Sequence, residues 1–267
     1  LILDAVKKIR CRQPRVGTRK LHRMVNERLK PDGIEIGRDR LFELLRAHNL
    51  LIRRRRHPKQ TTWSGHRLRK YGNLIRDLEL NRPNQVYVAD ITYLQTLEGY
   101  CYLALLTDAY SRKIVGYDVS RSLCFEGCLR ALQMALAPLS APIQLIHHSD
   151  RGIQYCSHAY VDLLTTHGIQ ISMTEELHVY ENAKAERVNG ILKSEFLLGE
   201  CLASIDLAEK MVKEAIQIYN NERLHLSLDY QTPARIHSAQ ADAKPQTDAL
   251  ISVSLRDTEV GCLSKNI

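Results

Sequence analysis

With 267 residues, 44% hydrophobic and 25% charged, the chain has apolar material for one sizeable core and a smaller accessory unit. No run approaches the roughly 18 consecutive apolar residues of a membrane span, and the start, LILDAVKKIR, is an amphipathic fragment rather than a signal peptide; a membrane protein is excluded and the cytoplasm is expected. The net charge of +8 is split: residues 1–83 hold 23 Lys+Arg against 8 Asp+Glu, whereas residues 84–267 hold 15 against 22, so a front suited to a polyanion precedes a body suited to gathering carboxylates around metal ions.

In chain order, TRKLHRMVNERLK (18–30) sets Leu21, Met24, Val25 and Leu29 on one helical face, and GRDRLFELLRAHNL repeats the pattern through Leu41, Leu44 and Leu45 after the break PDGIEIG. Two basic helices about a turn suit a helix-turn-helix whose second member reaches DNA through Arg38 and Arg40, or an ordinary helical hairpin; periodicity does not separate these. No acid lies between Glu43 and Asp77, where Arg53, Arg54, Arg55, Arg56, Lys59, Arg67, Arg69 and Lys70 fall, which predicts an exposed basic linker tracking a phosphate backbone. Pro83 and Asn84 close it. The predicted organisation is a helical DNA-binding segment (1–52), a linker (53–83), a catalytic core (84–200), a helical extension (201–236) and a tail (237–267) without clear pattern.

From Gln85, VYVADITYL and KIVGYDVS alternate and YCYLALLTDAY is an apolar run ending in a polar turn, which predicts three strands. FEGCLRALQMALA reads as a helix, IQLIHHSD as a strand, HAYVDLLTTHG as a helix, IQISMT as a strand and ENAKAERVNGILKSEFLL as a helix, followed by another over 204–221. The order β-β-β-α-β-α-β-α suits a mixed sheet with helices packed on it. Seven scattered cysteines argue for a reducing compartment rather than a disulfide framework, and Cys124 and Cys128 read as buried structural thiols.

Three acids carry the chemistry. Asp90 sits inside a strand, where aspartate needs a compensating reason; Asp150 ends a strand, where an α/β sheet presents site residues; Glu186 lies on a helix with Asn182 and Lys193 on roughly the same face. Converging carboxylates repel and raise one another's pKa unless cations intervene, and a pair of Mg²⁺ ions about 4 Å apart can bind the attacking and leaving oxygens of an in-line displacement at phosphorus. Asp108 opens a turn and reads as structural; Asp118 is the other rival acid. His147 and His148 read as packed strand histidines. Gly152, Gln154 and Tyr155 read as a short loop beside the site, the last two within reach of DNA; Asn182 suits a DNA contact or a helix cap, and Lys193 a phosphate contact.

The strings VADITYL, DAYSRKIVGY, HHSDRGIQYCS, ISMTEELHVYENAKAERVNGILKSEF and YNNERLHLSLDYQTP together closely resemble the integrase-like (DDE-type) transposases of bacterial insertion sequences, family three, second-frame type. The resemblance covers about residues 10–236. It implies an RNase H-like fold with a mixed five-stranded sheet over 84–200, like the catalytic core of retroviral integrases, behind a small basic helix-turn-helix-like unit. Thirty-five residues separate Asp150 from Glu186, as in the family's metal-binding triad, so it also implies catalytic and metal-binding roles for Asp90, Asp150 and Glu186, with Mg²⁺, or Mn²⁺ in its place, as a pair of ions. The basic residue seven positions on maps to Lys193, a contact to the DNA end. Cleavage at insertion-sequence ends, attack of the freed 3′-hydroxyl on another phosphodiester, homo-oligomerisation around terminal repeats and target DNA, and joining to an upstream-frame protein are implied likewise. The family often has Gly and Cys before its Asn-Ala pair, whereas this chain reads EELHVYENA; the difference bears on loop shape. A DNA-binding protein without catalysis and a recombinase using one of the 12 tyrosines as nucleophile are the competing classes; the second needs no acidic triad.

Overall fold

The computed structural model describes residues 1–52, 66–140, 144–175 and 183–241. Three helices open it: α1 (Ile2–Arg12), α2 (Thr18–Leu29) and α3 (Arg38–Ala47). Their apolar stripes close on one another, with Val6, Val16, Leu21, Val25, Leu41 and Leu45 fully buried in a small separate core. The residues between α2 and α3 are pinned by Asn26, whose Oδ1 accepts the Ile36 N–H and whose Nδ2 donates to the Ile36 carbonyl, both at 3.0 Å. Residues 30–37 make this connection longer than the three- or four-residue turn typical of a helix-turn-helix. The start of the chain, read only as an amphipathic fragment, is α1.

The second unit is a sheet of β1 (Val86–Thr96), β2 (Gly99–Asp108), β3 (Ile114–Ser120), β4 (Ile146–Ser149) and β5 (Gln170–Met173), in the order β3-β2-β1-β4-β5. The first three strands pair antiparallel as hairpins; β4 and β5 join β1 in parallel through helical crossovers. The side-chain period of two then divides the core. Leu103 and Leu105 point to the face covered by α7 (Ala183–Glu195) and α8 (Ile205–Asn221). Ala104 and Leu106 point to the opposite face, covered by α4 (Phe125–Leu136), α5 (Ile153–Cys156) and α6 (His158–Thr166). This is the expected RNase H-like mixed five-stranded sheet between helical layers.

Gly116 in β3 lets α4 approach this closely: a Cβ there would run into the Ala131 carbonyl oxygen. Asp108 is fully buried and accepts from the Asn84 N–H at 2.7 Å and from the N–H and hydroxyl of Ser111 at 2.6 and 2.7 Å, the turn role read for it.

Four expectations need correction. Of the basic linker, Arg53, Arg54, Arg55 and Arg56 lie outside the described residues, while residues 66–83 run along the core instead of standing free of it. Leu68, Tyr71, Ile75, Leu78 and Leu80 pack against the sheet and its helices, and the Met173 N–H donates to the Gly72 carbonyl. The basic side chains of Arg67, Arg69 and Lys70 remain exposed. The GIQY loop is α5, a single turn too short to leave a periodic signature. Cys128 is buried, but Cys124 stands exposed at the position just before α4. The boundary placed at 236/237 falls inside α9 (Pro233–Ala241).

The two units are joined through Glu195, the last residue of α7. Its carboxylate accepts from Lys20 of α2 at 3.0 Å and from Arg223, just beyond α8, at 2.8 and 2.9 Å. Its backbone carbonyl accepts the Arg15 N–H at 3.1 Å. Burial raises the carboxyl's pKa, but the two cations outweigh burial and hold it below its ordinary value.

Candidate active site

Asp90 and Asp150 are brought together by register. β1 pairs with β4 through Val86↔Ile146, Tyr87↔His147 and Val88↔His148, and two residues further on the same parallel progression reaches Asp90 and Asp150. With two residues per pleat, both extend the row of Val88 and His148, on neighbouring positions whose strands lie about 4.8 Å apart. Asp90 continues β1 and pairs with Leu105 on its other side. Asp150 is the first residue past β4 and accepts the Gly152 N–H at 3.0 Å.

The Asp90 carboxylate accepts at Oδ1 from the Ile91 N–H at 2.9 Å and at Oδ2 from Asn189 Nδ2 at 2.7 Å. Burial, and next the charge of Asp150, push its pKa up to about 7 against these hydrogen bonds; Glu186 adds a smaller push in the same direction. Glu186 stands exposed in the first turn of α7, within the electrostatic reach of Asp90. Lys193, half-buried two turns later, has its ammonium pKa lowered by burial and raised in part by Asp90. At 100° per residue Glu186, Asn189 and Lys193 share one flank of α7, the flank facing β1.

These residues fit a divalent cation by their chemistry: hard carboxylate oxygens, two of them adjacent in register, one already driven toward protonation by burial and by the charge of the other. A cation between them would reverse that drive. The Asn189 Oδ1, buried and without a hydrogen-bond partner among the described residues, adds a polar atom beside the pair. Among the described residues no three His, Cys, Asp or Glu groups stand close enough to enclose one ion; Glu186 is exposed at the start of its helix.

The remaining candidates divide. Asn182 lies outside the described residues. Gln154 and Tyr155 are buried: the Gln154 amide donates to the Leu123 carbonyl at 3.0 Å, and the Tyr155 ring packs edge-on to Tyr160 and beside His147. Neither presents its side chain to a surface: Gln154 faces the segment before α4 and Tyr155 the core between the sheet and its helices. Arg38 and Arg40 are exposed in the first turn of α3, bonded locally to Asp39 and Glu43. His147 and His148 are packed as read, bonded to Tyr160 and Ser172 at 2.8 Å each. Asp118 is engaged by Arg130 at 2.7 and 2.8 Å. Asn189 was not singled out from the sequence; its one signal was a place on the flank of Glu186, one turn on.

Two family models of the integrase core domain match the chain, over residues 81–178 and 167–233. The chain is 39% identical over 220 residues to the insertion element IS600 uncharacterized 31 kDa protein of Shigella sonnei, covering 82% of this chain and 79% of that one. It is 33% identical to transposase InsF for insertion sequence IS3fB of Escherichia coli (strain K12), covering 75% and 70% of the two chains. The HTLV-2 integrase catalytic core in complex with magnesium aligns at a TM-score of 0.47 and 20% identity, covering 58% of this chain and 97% of that one.

The chain belongs to the insertion-sequence transposases with an integrase core, the IS3 family. Its function is DNA transposition, and its reaction class is polynucleotidyl transfer. Among the described residues no helix is long and apolar enough to cross a membrane.

Proposed function

We propose that the chain hydrolyses phosphodiester bonds at the ends of an insertion sequence and transfers the freed 3′-hydroxyl to another phosphodiester, at a magnesium site held by Asp90, Asp150 and Glu186. The observation that carries this reading is the registered pair Asp90 and Asp150 with Asn189 bonded to the first. Bound between these acids, a pair of Mg²⁺ ions, or Mn²⁺ in their place, would polarise the scissile phosphate and lower the pKa of the attacking hydroxyl. Asp90 and Asp150 supply the rigid side of the site because backbone pairing fixes β1 and β4. Glu186 supplies the mobile side: being exposed, it can turn inward once cations neutralise the repulsion among three acids. Asn189 fixes the rotamer of Asp90, leaving the second lone pair of Oδ2 for a ligand. Lys193 faces the same space with a positive charge for a DNA phosphate. Arg38, Arg40 and the basic run at 53–56 supply contacts to the terminal repeats, and a homo-oligomer holds two ends at once, alone or with the upstream-frame protein.

A strand-transfer assay with labelled oligonucleotides carrying the element's ends tests this. Joining is expected with Mg²⁺ or Mn²⁺, is expected to stop on chelation, and should be lost in Asp90→Asn and Asp150→Asn. Joining that persists in chelator, or a protein–DNA adduct through tyrosine, would falsify the assignment.

A further inference from the structure

On the flank of α7 turned away from Asp90 lies a cavity of about 500 Å³ between α7, the end of α8 and the segment 223–227, with apolar walls and a set of basic side chains. Lys20, Arg112, Lys184, Arg187 and Arg223 line it with Glu195 the sole acid among the described lining residues. That acid is already saturated by Lys20 and Arg223. Asp108 acts on Arg112 and Lys184 from outside the lining, but its oxygens are taken by Asn84 and Ser111. Lys184 and Arg187 are exposed at the mouth, with no ion-pair partner among the described residues.

Two further observations suit the cavity to an anion. The Tyr219 hydroxyl is fully buried against the cavity and has no hydrogen-bond partner among the described residues. His225, also in the lining, is held neutral, its pKa pushed down to about 2 by burial and then by Arg223, Lys20, Arg112 and Arg187. Excess cation, an idle buried donor and a mouth framed by two free basic side chains describe a receptor for one oxyanion.

We propose that this cavity binds a phosphate of the DNA backbone, held at its mouth by Lys184 and Arg187 and from within by the Tyr219 hydroxyl. Arg112, Arg223 and Lys20 supply the attractive field. The contact is separate from the acids of the cutting site, so it positions the duplex and takes no part in the reaction. It carries no sequence information, because every internucleotide linkage presents the same oxygens.

The experiment uses the full chain in chelator, so its outcome is independent of any reading of the metal site. Binding is measured for an element-end duplex and an unrelated duplex across a salt series. In the doubly substituted Lys184→Ala/Arg187→Ala protein, affinity is expected to fall several-fold on both duplexes, with the salt slope reduced by about 0.9, the value for one phosphate. Duplexes carrying one uncharged methylphosphonate linkage should reveal a position at which wild type loses affinity and this variant does not. Tyr219→Phe should bind DNA more weakly while melting no lower than wild type, a combination that a purely structural hydroxyl would not give. An unchanged slope with no sensitive linkage would overturn the proposal. So would an inorganic phosphate effect, in which millimolar phosphate raises the Tm of wild type but not of the double variant while DNA binding by the two is the same; the cavity would then serve a free anion.

Discussion

Asn189 on α7 donates its side-chain N–H to Asp90 on β1 at 2.7 Å, joining residues 99 positions apart in the chain. The bond ties the helix that carries Glu186 to the strand that carries the first acid. Replacing Asn189 by Ala removes a hydrogen bond to a carboxylate, a contact worth roughly 1.5–3 kcal/mol. Strand transfer is expected to fall about 10- to 150-fold, the fold-change that range represents, with higher Mg²⁺ needed for half-maximal rate. A magnesium titration of Asn189→Ala checks this; wild-type rates at every concentration would remove Asn189 from the site.

Glu186→Gln separates fold from chemistry. The side chain is exposed and in a first helical turn, so its substitution should alter stability by no more than about 0.5 kcal/mol. Joining is expected to vanish while duplex affinity stays within about twofold. Thermal melting, gel shift and strand transfer on the same preparation decide it, and retained joining would dismiss the glutamate's assigned role.

Glu195 makes stability depend on acid pH. Because its folded pKa is depressed by Arg223 and Lys20 despite burial, the stabilisation is complete above the unfolded glutamate value of about 4.3 and disappears as pH falls through the folded value. Glu195→Gln should therefore melt below wild type at neutral pH, by the equivalent of about 1–3 kcal/mol. The difference should shrink below about pH 4. A gap that stays constant from pH 7 to 3 would contradict the assignment of the effect to this carboxylate.

Gly116→Ala tests the closeness of α4 to β3. Its new methyl group meets a backbone carbonyl rather than a side chain that could turn aside, so the helix must lift. A loss of about 1–3 kcal/mol is expected in denaturant unfolding. A variant as stable as wild type would mean that the helix yields without strain.

Much of the catalytic unit was legible because its signals are local. A strand with an aspartate in its middle, another ending in one, and the alternation of β1 and β3 all survive without knowledge of neighbours. The residues that escaped depend on partners distant in sequence. Asn189 looks like any polar residue on a helix until β1 is placed beneath it. Gln154 and Tyr155 look available to DNA because α5 is a single turn, shorter than any period that would reveal which way it faces. Residues 66–80 read as free because charge dominated the reading, whereas Leu68, Tyr71, Ile75, Leu78 and Leu80 decide where the chain lies. Glu195, the keystone between the two units, is an ordinary helix-end acid until Lys20 and Arg223 arrive.

The thirteen residues of α7 make a strut roughly 20 Å long, rigid on the scale of a bond. One end bears Glu186; the other is clamped, through Glu195, to the helical unit that leads the chain. Because Asn189, between those two ends, also bonds the helix to β1, the leading unit and the sheet that carries Asp90 are held by one and the same rigid piece.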